Sequence, residues 1–131
     1  MENGAPNPGL RILVVDDNED AANSLATLLE VMGHEVRTAY DGPEALTAAE
    51  EFLPAVALLD IGLPRLSGYD IARHLRERRG DEVLLVAITG WGQEDDRRRA
   101  QDAGFDHHFT KPADFDALLA LIERRTARPA S

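Results

Sequence analysis

The sequence predicts an α/β fold in which a parallel five-stranded sheet lies between two layers of helices. Three observations predict it. Five short apolar runs alternate with five stretches of helical spacing along 131 residues. Gly, Pro, Asp or Asn stands at most of the joints, so the connections are short. Several of the runs are continuous in Val, Ile, Leu and Ala instead of alternating with polar residues, as in strands buried on both faces. Strands that alternate with helices over short links make right-handed crossovers and a parallel sheet.

Leu10–Val15 is the first buried strand. Asp20 to Met32 has apolar residues at Ala22, Leu25, Leu29 and Met32, a helical spacing, and Gly33 stands where that helix should stop. Glu35–Ala39 is short and partly polar, an edge strand. Asp41-Gly42-Pro43 opens a helix with a capping acid and an early proline, which runs to about Phe52 and buries Ala45, Leu46, Ala49 and Phe52 until Pro54 stops it. Ala55–Leu59 is a second fully buried strand. A loop containing Pro64 leads to a helix from about Gly68 to Arg79, with Ile71, Ala72 and Leu75 inward. Val83–Ile88 is the last of the buried strands. Glu94 to Ala103 is a polar helix with the i,i+4 pairs Glu94–Arg98 and Asp95–Arg99, ended by Gly104. Asp106–Thr110 is a weak fifth strand, and Lys111-Pro112 a turn. Asp114 caps a final helix with Phe115, Leu118, Leu119 and Ile122 inward. Residues 10–125 therefore form one domain, between a disordered lead (1–9) and a disordered tail (126–131).

Composition narrows the function. Net charge is −10, which disfavours nonspecific binding to nucleic acid or anionic membrane. The absence of cysteine excludes disulfides, thiolate metal sites and thiol nucleophiles. No apolar run approaches a membrane span, and the first residues lack the apolar core of a signal peptide, so the expected compartment is the cytoplasm.

The chemistry gathers at strand ends. Asp16 and Asp17 follow the first strand, Asp60 the third, Thr89 the fourth and Lys111 the fifth. In a parallel sheet all carboxyl ends share one side. A flavodoxin-like order 2-1-3-4-5 sets the first and third strands side by side, so these residues converge. Three carboxylates in one crevice repel each other, and a hard dication relieves the repulsion. Oxygen-only ligands with retained waters suit Mg²⁺. Asp17 and Asp60 are the expected direct ligands, with Asp16 acting partly through water and the Gly62 carbonyl as a further ligand. Asp60, neutralised by the metal, can then act as a nucleophile toward a phosphoryl group, whose oxygens Lys111 and the Thr89 hydroxyl are suited to hold. Gly90 leaves access to the site, and Trp91 stands where it can affect that access. His107-His108 is not expected to chelate, because adjacent strand residues point to opposite faces.

Taken together, Val14-Val15-Asp16-Asp17-Asn18, Leu58-Leu59-Asp60-Ile61-Gly62-Leu63-Pro64, Gly68-Tyr69, Ile88-Thr89-Gly90 and Lys111-Pro112 resemble the receiver domain of two-component response regulators, over about Arg11 to Arg125. The stretch from Thr89 to Arg99, continuing to Gly104–His108, resembles receivers at the C-terminal end of hybrid sensor kinases. The resemblance implies that Asp60 accepts a phosphoryl group from a phosphohistidine of a sensor histidine kinase or phosphotransfer protein, with Mg²⁺ required. It implies a cis Lys111–Pro112 peptide, a kinase docking area near Asn18 to Ala22, and an output face on the fourth helix, fifth strand and fifth helix. It also makes Thr89 and His108 the switch pair, with His108 in place of the usual Tyr or Phe. That departure predicts a muted structural change on phosphorylation. Gly62 and Trp91 stand at positions that often carry a polar side chain in the family, which predicts slow autodephosphorylation. Two other functions compete: a Mg²⁺-dependent aspartyl-phosphate phosphohydrolase, disfavoured because position 62 has no acid, and a degenerate receiver acting only as a binding module. The expected assembly is a monomer or weak dimer, with no nucleic acid or membrane partner.

Overall fold

The computed structural model describes residues 9–63, 66–89, 96–111 and 113–127. In chain order the elements are β1 (Arg11–Val15), α1 (Glu19–Val31), β2 (Glu35–Ala39), α2 (Gly42–Phe52), β3 (Val56–Asp60), α3 (Gly68–Arg79), β4 (Leu84–Thr89), α4 (Asp96–Ala103), β5 (His107–Thr110) and α5 (Phe115–Ala127). The strands form one sheet in the order β2-β1-β3-β4-β5, with every pairing parallel. The three central strands are buried along almost their whole length, and the edge strands β2 and β5 are only partly covered.

The two-residue period of a strand sorts the core into two layers. Leu13, Val15, Ala57, Leu59, Leu85 and Ala87 pack on one side with α2, α3 and the end of α4. Ile12, Val14, Val56, Leu58, Val86 and Ile88 pack on the other with α1 and α5. The expected three-layer α/β sandwich of order 2-1-3-4-5 is the fold.

Several local expectations shift. β3 and β4 run through Asp60 and Thr89, so both are the last residues of strands and are held by the ladder, with Asp60 opposite Ile88 and Thr89 opposite Thr110. α1 ends at Val31, and Met32 is exposed, because the chain turns away at Gly33, whose φ is +99°. Leu46 and Phe52 are half-buried. α2 covers the edge of the sheet, and the Phe52 ring lies under the Arg11 guanidinium at 5.7 Å. In α5, Leu121 joins Leu118 and Ile122 in the core, while Phe115 and Leu119 are half-buried. The helix continues to Ala127, two residues into the predicted tail, with Arg124 and Arg125 beside its last carbonyls, where cations are favourable. Arg125 also donates to the Asp81 carbonyl at 2.7 Å. Residues 1–8 and 128–131, Pro64, Pro112 and the pairs made by Glu94 and Asp95 lie outside the described residues. No helix among the described residues is long and apolar enough to cross a membrane.

Candidate functional site

β1 and β3 are neighbours, so the carboxylates at their ends meet. Asp16, Asp17 and Asp60 each offer an oxygen within 4.8 Å of the others. Asp16 and Asp60 are nearly buried, at 9% and 7% exposure, while Asp17 faces solvent. Lys111 enters from the end of β5. Its Nζ donates to Asp60 Oδ2 at 3.1 Å and to Asp16 Oδ2 at 3.2 Å. The other oxygen of each carboxylate accepts a backbone N–H two residues on: Asn18 N–H to Asp16 Oδ1 at 3.0 Å, and Gly62 N–H to Asp60 Oδ1 at 3.0 Å. Asn18 in turn caps α1, its Oδ1 accepting from Ala21 N at 3.1 Å.

These contacts compete in setting protonation. Burial pushes the Asp60 carboxyl above its ordinary value, and the Asp16 charge adds to that push. The Gly62 N–H and Lys111 act in the opposite direction and do not overcome it. For Lys111, burial alone would lower the ammonium pKa. The hydrogen bonds and charges of Asp60 and Asp16 outweigh it, so Lys111 is held above the ordinary lysine value. The crevice is thus a charged, half-desolvated cluster with one cation against three carboxylates. Hard oxygen donors at this spacing are the donor set for a dication such as Mg²⁺ or Ca²⁺.

Backbone contacts hold this geometry. Lys111 N–H donates to the Thr89 carbonyl at 2.7 Å, and Ile61 N–H to the Ile88 carbonyl at 3.1 Å. Gly68 begins α3 directly against the end of β3. A Cβ there would stand 2.7 Å from the Asp60 carbonyl oxygen, so only glycine permits this approach. Position 62 is open instead: a Cβ would meet nothing nearer than Asp60 Oδ1 at 3.8 Å.

Thr89 is 1% exposed, and its hydroxyl lies 3.0 Å from His108 Nε2. The two predicted switch residues are therefore in contact. His107 is exposed and His108 half-buried. Gly90 and Trp91 lie outside the described residues. Beside the site, a cavity of about 560 Å³ opens between α1 and α5, lined by Leu25, Leu28, Phe115 and Leu118, with Asp16 and Lys111 at its rim. In the docking area named from the sequence, Ala21 is exposed and Ala22 buried, and Leu25, about one turn further along α1, is half-buried.

Sequence reasoning missed two anchors. Arg76 donates to the carbonyls of Gly104 and Val83 and to Asp106 Oδ2 at 2.8 Å, and that same oxygen accepts from Leu85 N at 2.9 Å. Asp106 thereby ties the start of β5 to β4. His34 is buried at the start of β2, and its Nδ1 accepts from Leu10 N at 3.1 Å. The only local hint of either was a polar residue placed against an element boundary.

Comparison with known proteins agrees with this geometry. Residues 12–123 match the family model described as response regulator receiver domain. The chain is 37% identical over 131 residues to the transcriptional regulatory protein PrrA of Mycobacterium tuberculosis, covering 100% of this chain and 55% of PrrA. It is 34% identical over 114 residues to an uncharacterized 14.6 kDa protein in the sodA1 3′ region of Leptolyngbya boryana, covering 86% and 87% of the two chains. Among solved structures, a CheY-like receiver domain protein from Methanospirillum hungatei superposes with a TM-score of 0.83 at 29% identity, covering 90% of this chain and 94% of that one. A response regulator from Burkholderia pseudomallei, solved with a phosphorylated aspartic acid, calcium ion and citrate, superposes with a TM-score of 0.79 at 30% identity, covering 89% and 68%.

Proposed function

The chain belongs to the response regulator receiver domain family, and from that premise we propose that it receives a phosphoryl group on Asp60 and returns it by hydrolysis. One observation carries this reading: Lys111 Nζ bridges Asp60 and Asp16 at 3.1 and 3.2 Å inside a cluster of three carboxylates at strand ends. That arrangement has a nucleophile, a cation for phosphoryl oxygens and a donor set for a dication. The phosphorylated aspartic acid and calcium ion of the Burkholderia pseudomallei relative support it.

Asp60 and Asp17 would hold Mg²⁺ directly, with the Gly62 carbonyl as a further ligand. Asp16 would act partly through water. When bound, the ion supplies positive charge to the carboxylates and to the incoming phosphoryl group. A carboxylate oxygen of Asp60 bonds to phosphorus as the P–N bond to the donor imidazole breaks, and the departing nitrogen takes up a proton. Lys111, released from Asp60 Oδ2, follows the phosphoryl oxygens. Thr89 donates its hydroxyl proton to another of them. Positioning and charge supply most of what this transfer needs.

The donor is a sensor histidine kinase or a phosphotransfer protein, seated on α1 and the α5 end beside the 560 Å³ cavity. The domain acts in the cytoplasm as a signalling module, with self-catalysed phosphorylation and dephosphorylation. The chain spans about half the length of the curated regulators it matches, such as the 55% covered in PrrA, so output is assigned to whatever the domain contacts. Incubation with acetyl phosphate and Mg²⁺, followed by intact-mass measurement, tests the reading. The expected result is a gain of one phosphoryl group that is absent in Asp60→Asn. No gain in the wild type leaves a binding module, and rapid release of free phosphate with no adduct indicates a hydrolase.

A further inference from the structure

We infer that His108 is a positioning residue for the phosphoryl site: its Nε2–H holds the Thr89 hydroxyl so that the hydroxyl proton points to the phosphoryl group on Asp60. The inference rests on the phosphoacceptor reading above. It follows from proton counting on a single observed contact.

Thr89 Oγ1 and His108 Nε2 are 3.0 Å apart, so one of them donates to the other. A hydroxyl has one proton to give and two lone pairs to receive with. Phosphoryl oxygens on Asp60 carry no proton at neutral pH that could be offered to Thr89, so Thr89 must donate to them. Once its proton is committed there, Thr89 cannot also donate to His108. The 3.0 Å contact then survives only with Nε2 as the donor. A bare Nε2 would face a hydroxyl oxygen lone pair to lone pair, and either the contact or the phosphoryl bond would be lost. Thr89 is 1% exposed, so water cannot easily replace the missing partner. The imidazole thus has to carry a proton on Nε2 whenever the phosphoryl group is held, whatever its other nitrogen contacts.

The backbone enforces this pairing. Thr89 is opposite Thr110 and Ala87 opposite His108 in the β4–β5 ladder, so a two-residue diagonal on one face of the sheet brings the hydroxyl to the ring. Lys111, immediately after β5, is anchored by its N–H on the Thr89 carbonyl at 2.7 Å. Oγ1 and Nζ, the two groups assigned to the phosphoryl oxygens, are therefore referenced to the same short strand that carries His108. A phenylalanine at 108 would fill similar space without a donor, and the threonine hydroxyl would be free to turn away.

The test is the ring nitrogen itself. Long-range ¹H–¹⁵N correlation spectra of the full chain, with and without Mg²⁺ and beryllofluoride as the phosphoryl mimic, report whether Nε2 of His108 bears a proton. The expected result is a protonated, pyrrole-type Nε2 in the beryllofluoride-bound state. His108→Phe should weaken beryllofluoride binding roughly three- to tenfold, the value of one net hydrogen bond. His108→Gln, whose amide places an N–H donor at similar reach, should recover most of it. An unprotonated Nε2 in the bound state overturns the inference, and so does equal affinity of the wild type and His108→Phe. If acetyl phosphate fails to modify the wild type at all, the phosphoacceptor reading is what fails. If the adduct forms and Nε2 is bare, the inference alone is wrong.

Discussion

Asp60→Asn should make the protein more stable when no dication is bound. Asp60 has 10% of its side chain exposed and stands within 4.8 Å of two other carboxylates. With an effective dielectric of about 20, repulsion from Asp16 alone is at least about 3.5 kcal/mol. Asp17 is exposed, and solvent screens its share heavily. Lys111 at 3.1 Å returns about 5 kcal/mol on the same scale. Charge–charge terms therefore nearly cancel, and desolvation of a half-buried anion, several kcal/mol before its hydrogen bonds are counted, decides the sign. The upward push on the Asp60 pKa has the same origin. Asparagine keeps its carbonyl oxygen as acceptor for the Gly62 N–H, leaves Lys111 on Asp16, and avoids the desolvation. The expected gain is about 1–2 kcal/mol in chelator, read as a urea midpoint about 0.5–1 M higher. Saturating Mg²⁺ should reverse the order, because a ligand at about 100 times its Kd adds about 2.7 kcal/mol to the form that binds it. A midpoint for Asp60→Asn at or below that of the wild type in chelator would refute the reasoning. Equal Mg²⁺ shifts in both proteins would refute it as well.

Other outcomes can be stated briefly. Burial lowers the His34 pKa, with Glu123 opposing. The folded state then binds fewer protons than the unfolded one, so stability is full above about pH 6.5 and is lost as pH falls toward the folded value. His34→Asn should flatten that slope in denaturation curves between about pH 7 and 5. Gly68→Ala should cost about 1–3 kcal/mol in urea unfolding, since its Cβ would stand 2.7 Å from backbone at Asp60. An unchanged midpoint would mean that α3 can shift freely. Lys111→Met should abolish the acetyl phosphate adduct and tighten Mg²⁺ binding severalfold by calorimetry, because three carboxylates then lack their cation. Gly62→Asn should shorten the phosphoryl lifetime in a phosphate-release assay, since the position is open and an amide there can orient water.

Much of the fold was legible because strand burial and helical spacing are local patterns. The continuous runs Ala55–Leu59 and Val83–Ile88 announce central strands, and Asp41 and Asn18 stand where helix caps belong. Boundaries moved by a residue where a polar side chain continues a strand. Asp60 and Thr89 look like loop residues by hydropathy, yet ladder partners hold them in the sheet. Leu46 and Phe52 look fully buried by spacing and are not, because α2 overhangs the edge strand, a fact of sheet order more than of helix period. The Arg76 and Asp106 anchor spans 30 residues, and no local pattern reports it.

The sequence by itself determined which chemical groups stand at the carboxyl ends of parallel strands: Asp16, Asp17, Asp60, Thr89 and Lys111. Parallel pairing obliges those ends to share one side, and strand ends are local properties. Only the tertiary structure decided how the groups pair. Lys111 bridges two carboxylates, each of which has its second oxygen on a backbone N–H, and Thr89 meets His108 across the β4–β5 ladder. Hydrogen-bond partners are set by distances of a few ångströms between residues as many as 95 positions apart. Such distances depend on sheet register and packing, which exist only once the chain has closed on itself.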